Sequence, residues 1–77
     1  MEKMDAMNQV AVELRVAMQK HKPFNSAHEG YAVILEELDE LKTEVWKNEK
    51  LRDSGRLRLE ARQVAAMAIR FFWLRKT

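Results

Sequence analysis

Tyr31-Ala-Val-Ile-Leu-Glu-Glu-Leu-Asp-Glu-Leu41 is the stretch on which the reading of this chain turns. Ile34, Leu35, Leu38 and Leu41 recur at three- and four-residue intervals, the spacing of one buried helical stripe. Four carboxylates, Glu36, Glu37, Asp39 and Glu40, are crowded into the same run. Glu37 and Glu40 stand three apart, so they project from one face about one turn apart. At ~100° per residue their stripe begins roughly 60–100° from that of Ile34 and Leu41, at the edge of the core rather than opposite it. Two carboxylates there repel each other unless a cation lies between them, and a divalent metal meets that need.

Helical spacing extends outward from this stretch over Ala27 to Leu51, roughly 35 Å of helix at ~1.5 Å per residue. Ser26-Ala-His-Glu29 reads as a capping box at its start, with Phe24 folded beneath. Pro23 separates it from a first helix over Glu2 to Lys20. There Met4, Met7, Val10, Ala11, Leu14, Ala17 and Met18 share a face, and the methionines read as core packing. Asp53-Ser54-Gly55 ends the second helix or opens a third, which spans Arg56 to Arg75. Its stripe is Leu57, Ala61, Val64, Ala68 and Phe71, and its alanines permit close helix approach. The expected fold is all-α, a three-helix antiparallel unit forming one domain over residues 1–77. Trp46 lies on the side of the second helix opposite Glu37; Val12, Val16, Phe72 and Trp73 add further apolar positions off the main stripes. Oligomerisation is expected to complete a helical bundle, with Trp46 and Trp73 as interface anchors.

Composition supports that expectation. Seventy-seven residues without cysteine have neither disulfide nor thiolate-metal staple to supplement a small core. At 47% hydrophobic residues the chain is too apolar for disorder, yet no run reaches the length of a membrane span and no signal peptide opens it. A soluble cytoplasmic protein is expected. Charge is divided along the chain. Residues 28–46 carry six acids against Lys42 alone, and residues 47–77 carry nine bases against Glu49, Asp53 and Glu60. Such a division suits internal pairing, or a site that binds cations and anions together.

The third helix supplies the other half of a site. Arg56, Glu60 and Gln63 follow at i−4, i and i+3 and so share a face. With the second and third helices as antiparallel neighbours, Glu60 can oppose Glu37 and Glu40. Oxygen-bearing side chains in pairs suit a hard cation such as Mg²⁺, which keeps waters and leaves room for phosphate oxygens.

Glu36-Glu37-Leu38-Asp39-Glu40 followed by Glu60-Ala61-Arg62-Gln63 resembles the E-E-x-x-E … E-x-x-D signature of the MazG-like all-α nucleoside triphosphate pyrophosphohydrolases. The similarity spans about residues 20–75 and includes His28-Glu-Gly-Tyr-Ala-Val-Ile before the first motif and Gln63-Val-Ala-Ala-Met-Ala-Ile-Arg-Phe from the second. The resemblance implies a Mg²⁺-dependent enzyme, with Mn²⁺ as a substitute, that cleaves an NTP or dNTP to the monophosphate and pyrophosphate. It also implies a homo-dimer or homo-tetramer. By position, Glu37, Glu40, Glu60 and Gln63 match the metal ligands, Glu36 the leading acid of the catalytic set, and Arg56 a phosphate-binding base. Gln63 stands where the family usually has Asp, which removes one negative charge. A fourth helix common in the family is not seen here, so the nucleoside pocket is expected either to come from a neighbouring chain or to be absent.

Other residues receive plainer expectations. Asp39 reads as a surface acid, Glu44 as a surface acid in preference to a spare ligand, and His21 and His28 as helix-end residues. Lys20, Lys22, Lys47, Lys50 and Arg52 read as solvated charges. The alternative function is a catalytically degenerate oligomerisation or partner-binding module, suggested by Gln63 and the absent fourth helix. A nucleic-acid module ranks last, because the bases of residues 47–77 are dispersed among core positions.

Overall fold

The structure, a computed structural model, describes residues 2–74. It consists of α1 (Lys3–Lys20), α2 (Ala27–Val45) and α3 (Ser54–Phe72), with no strand among the described residues. The all-α, three-helix expectation is met.

Helix α3 is the centre of the unit: α1 and α2 each pack on it, and not on each other. Helix α2 runs antiparallel to α3, because Gly30 near its start lies against Phe71 and Glu44 near its end meets Asp53. Helix α1 lies alongside α3 in the same direction. Glu13 pairs with Arg62 at 3.1 Å, and the Lys22 carbonyl accepts from Arg70 Nη2 at 3.1 Å. The core is small. Ala17, Phe24, Ala66 and Met67 are buried, with Val10, Leu14, Val33, Ile34, Phe71 and Leu74 packed around them.

Local signals set the helix starts. Ser26 Oγ accepts from the Glu29 N–H at 3.1 Å, as the capping box predicts. The Glu29 carboxylate reaches one residue further back than expected, to the backbone N–H and side-chain amide of Asn25. Asp53 opens α3 by accepting from the N–H groups of Gly55 and Arg56, so that helix begins at Ser54 rather than Arg56. Its expected end at Arg75 lies outside the described residues.

Helix α2 ends at Val45, six residues before the expected Leu51. Arg52 Nη2 donates to the Val45 carbonyl at 2.8 Å, capping the terminus from the far side of the loop. Glu44 Oε2 takes the Asp53 N–H at 3.0 Å and folds residues 46–53 back over the helix end. Asn48 turns the chain between, its side chain accepting from the Lys50 N–H.

The inward stripe of α2 also differs in detail. Gly30, Val33, Ile34, Glu37, Leu41 and Glu44 face α3, while Leu35 and Leu38 are exposed. Helix α1 buries only Ala17 fully; Met4, Met7 and Met18 lie exposed rather than in the core. One chain offers them nothing to pack against, since α1 touches α3 alone. Trp46 and Phe72 are 75% and 91% exposed.

Candidate metal centre

Glu37 on α2 stands on the stripe facing α3, and Glu60 on α3 stands on the stripe facing back. Antiparallel pairing brings the two level. Glu40, one turn beyond Glu37, closes the group at the helix edge. One carboxylate oxygen from each of Glu37, Glu40 and Glu60 lies within 4.8 Å of the others. Glu60 is the deepest at 2% exposed; Glu37 is half-buried and Glu40 exposed. The arrangement is therefore open to solvent at one end and closed at the other.

Electrostatics disfavour the charged forms of Glu37 and Glu60. Burial, then the neighbouring carboxylates of Glu40, Glu60 and Glu36, push the Glu37 carboxyl above its ordinary value of 4.5. Burial and the adjacent Glu40 also push Glu60 up, against the lowering pull of Arg56. Arg56 Nε lies 2.9 Å from Glu60 Oε1, and its side chain is largely exposed. It is the only base paired with the three acids among the described residues.

Gln63 sits between them. With its amide oriented by the surrounding carboxylates, Nε2 donates to Glu60 Oε2 at 3.2 Å and Glu37 Oε2 at 3.1 Å. Turned over, the same amide directs a carbonyl oxygen at the same place. Glu36 is exposed beside the group and acts on Glu37 through charge. Asp39 is exposed, and it lines an outer hollow with Glu36 and Thr43.

Two residues have roles that the sequence reading missed. Glu44, expected at the surface, is 3% exposed. It accepts from the Asp53 N–H and from Lys47 Nζ at 3.0 Å, and those hydrogen bonds hold its carboxyl below the ordinary value. It faces donors, so it fastens a loop and needs no cation. Its place seven residues after Glu37, on the same helical stripe, was the available signal. Arg70 is the other. It is 8% exposed, seven residues beyond Gln63 on the same face of α3. A groove of about 540 Å³ over α3 links the two ends, lined by Glu36, Glu37 and Gln63 at one and by Lys22, Phe24 and Arg70 at the other.

Comparison with protein-family models, curated proteins and solved structures found no match for this chain.

Proposed function

We propose that the chain is a Mg²⁺-dependent nucleoside triphosphate pyrophosphohydrolase of the MazG-like kind, converting an NTP or dNTP to its monophosphate and pyrophosphate. The observation that carries this reading is the convergence of Glu37, Glu40 and Glu60 within 4.8 Å across two helices. The donor set fits the ion. Three carboxylates and the Gln63 amide are all oxygen ligands, and they come with mutual repulsion that only one guanidinium offsets. A divalent cation held there would supply Lewis-acid polarisation of a phosphoryl oxygen and lower the pKa of a bound water. Arg56, anchored through Nε on Glu60 and otherwise exposed, keeps its remaining N–H groups for a phosphate oxygen. Glu36 stands beside the group and can receive a proton from water.

The same proposal includes a homo-dimer or homo-tetramer. The chain exposes 6297 Å², whereas a compact monomer of 9.1 kDa exposes about 4,900 Å². The excess is the size of one protomer's share of a large, stable interface. Tyr31, Leu35 and Leu38 on α2, with Ile69 and Phe72 on α3, supply apolar side chains for it. No helix among the described residues is long and apolar enough to cross a membrane, and we place the reaction in the cytoplasm.

Pyrophosphate release from a panel of common and damaged nucleotides tests the reading. Turnover with Mg²⁺, abolished by Glu37→Gln or Glu60→Gln, is the expected result. Absence of both turnover and calorimetric metal binding overturns it. Gln63 favours a second reading, a catalytically degenerate assembly or partner-binding module, because its amide can tie Glu37 to Glu60 through two hydrogen bonds. That reading expects all three glutamates to be replaceable without change in any nucleotide assay.

A further inference from the structure

Arg70 is the one buried cation in the described chain, and it has no carboxylate within 4.0 Å among the described residues. A charged side chain this deeply buried is ordinarily paired. Its contacts are instead neutral. The guanidinium lies over the Phe24 ring at 4.2 Å, Nη2 donates to the Lys22 carbonyl, and Nη1 approaches Met67 Sδ at 3.2 Å. Sulfur is a weak acceptor, so one full-strength hydrogen bond serves a group with five N–H donors. Among the described residues no buried side-chain nitrogen lacks a partner, so Nε, which has none of the bonds above, is within reach of solvent.

Arg70 also borders a cavity of about 410 Å³ between the end of α1, the loop of residues 21–26 and the end of α3. Its walls are apolar and aromatic, from Met18, Phe24, Trp73 and Leu74. Every titratable residue among the described ones lining it is basic: His21, Lys22 and Arg70. The volume suits a small molecule, and apolar walls with a few converging polar groups are the usual make-up of such sites.

We propose that this cavity binds a small organic anion, its phosphate or carboxylate on the Arg70 guanidinium and its aromatic or apolar body against Phe24 and Trp73. Arg70 has two assets for the task. Stacking on Phe24 and bonding to Lys22 fix its plane before the ligand arrives, and a planar fork matches two oxygens of an anion at once. The cavity is separate from the acidic group: Gln63 and Arg70 are about 10 Å apart along α3. The groove joins the two, so an anion bound at Arg70 lies in line with the acids without touching them.

The test uses protein freed of metal on a chelating resin, so that no soluble chelator competes as an anion and the outcome is independent of any hydrolytic activity. The ¹H–¹⁵N signals of the Arg70 Nε–H and the Trp73 indole are followed while phenyl phosphate, inorganic phosphate or phenol is added. Phenyl phosphate is expected to shift both signals saturably, with inorganic phosphate weaker and phenol without saturable effect. Arg70→Gln is expected to weaken phenyl phosphate binding about tenfold or more, with Arg70→Lys intermediate. Because Arg70 also holds Lys22, the wild-type titration stands on its own should the variant unfold. Equal responses to phenol and phenyl phosphate, inorganic phosphate binding as tightly as the ester, or an unmoved Arg70 signal at saturating ester would each overturn the proposal.

Discussion

Replacing Glu40 by Gln isolates the repulsion among the three acids, because Glu40 is exposed and its amide isostere leaves no cavity. Its carboxylate oxygen lies within 4.8 Å of those of Glu37 and Glu60. At that separation one like-charge pair costs about 1 kcal/mol in a water-like dielectric and about 3.5 kcal/mol at an effective value of ~20. Glu37 and Glu60 relieve part of this by holding protons more tightly than usual. The expected gain for Glu40→Gln in EDTA at neutral pH is therefore about 1–3 kcal/mol, and each kcal/mol raises Tm by about 4–8 °C in a domain of this size. The pH dependence has a definite sign. Raised carboxyl values in the folded state mean that it binds more protons than the unfolded chain, so wild-type stability falls as pH rises from 4.5 through those values. The advantage of the variant should fade in acid and grow as pH rises. Saturating Mg²⁺ should reverse the order, since binding at one hundred times Kd adds about 2.7 kcal/mol to the wild type while the variant has lost a ligand. Thermal unfolding followed at 222 nm, with EDTA and with Mg²⁺ across pH 4–8, reads all of this. A variant no more stable than wild type in EDTA, or one stabilised equally by Mg²⁺, refutes the reasoning.

Further outcomes follow from the packing. Gly30→Ala places a methyl 2.6 Å from Phe71 Cδ2 and 3.0 Å from Phe24 Cδ2. It should destabilise the chain by about 1–3 kcal/mol in a denaturant titration, despite the better helix propensity of alanine. Glu44→Ala should lower Tm at neutral pH; its folded value is depressed, so its contribution is present above 4.5 and lost as pH falls through the depressed value, and the two proteins should converge in acid. Asp53→Ala removes the acceptor for two N–H groups at the start of α3 and should cost about 0.5–2 kcal/mol by chemical denaturation. Phe72→Glu should shift the mass measured by light scattering towards the monomer; an unchanged mass would remove α3's exposed face from the proposed interface.

What could be read from the sequence is what local geometry controls. Ser26, Pro23 and the periodicity of α1 act within a turn or two of themselves, so those boundaries matched closely. Glu60 could be placed opposite Glu37 and Glu40 because an antiparallel hairpin with a short loop leaves few registers. The end of α2 was misread because its determinants are remote: Arg52 caps Val45 across seven residues and Glu44 captures Asp53 across nine. Periodicity in that segment continues through Leu51 without sensing either bond. Helix α1 was readable as a helix but not in its choice of α3 over α2, which depends on the Glu13–Arg62 pair and on the side-chain-poor surface at Ala66. A repeating apolar face says which side of a helix is greasy; it cannot say whether one chain holds enough partners to cover it. Met4 and Met7 show the difference.

Glu37 and Glu44 differ in what surrounds them, and that difference separates a structural acid from a site acid. Both are acids on the inward stripe of α2, seven residues apart, Glu44 buried and Glu37 half-buried, and depth alone does not explain their opposite behaviour. What each faces does. Glu44 meets a backbone N–H and an ammonium group, and its proton is given up more readily than usual. Glu37 meets two more carboxylates and a neutral amide, and its proton is held more tightly. A buried acid whose neighbours are donors is structural, because the chain has already supplied its counterpart. One whose neighbours are acids is destabilising until something outside the chain supplies positive charge. Arg56 provides one unit, against three carboxylates. The remaining two units match the charge of a single divalent ion, which is the physical reason for proposing a metal at this cluster and not at Glu44.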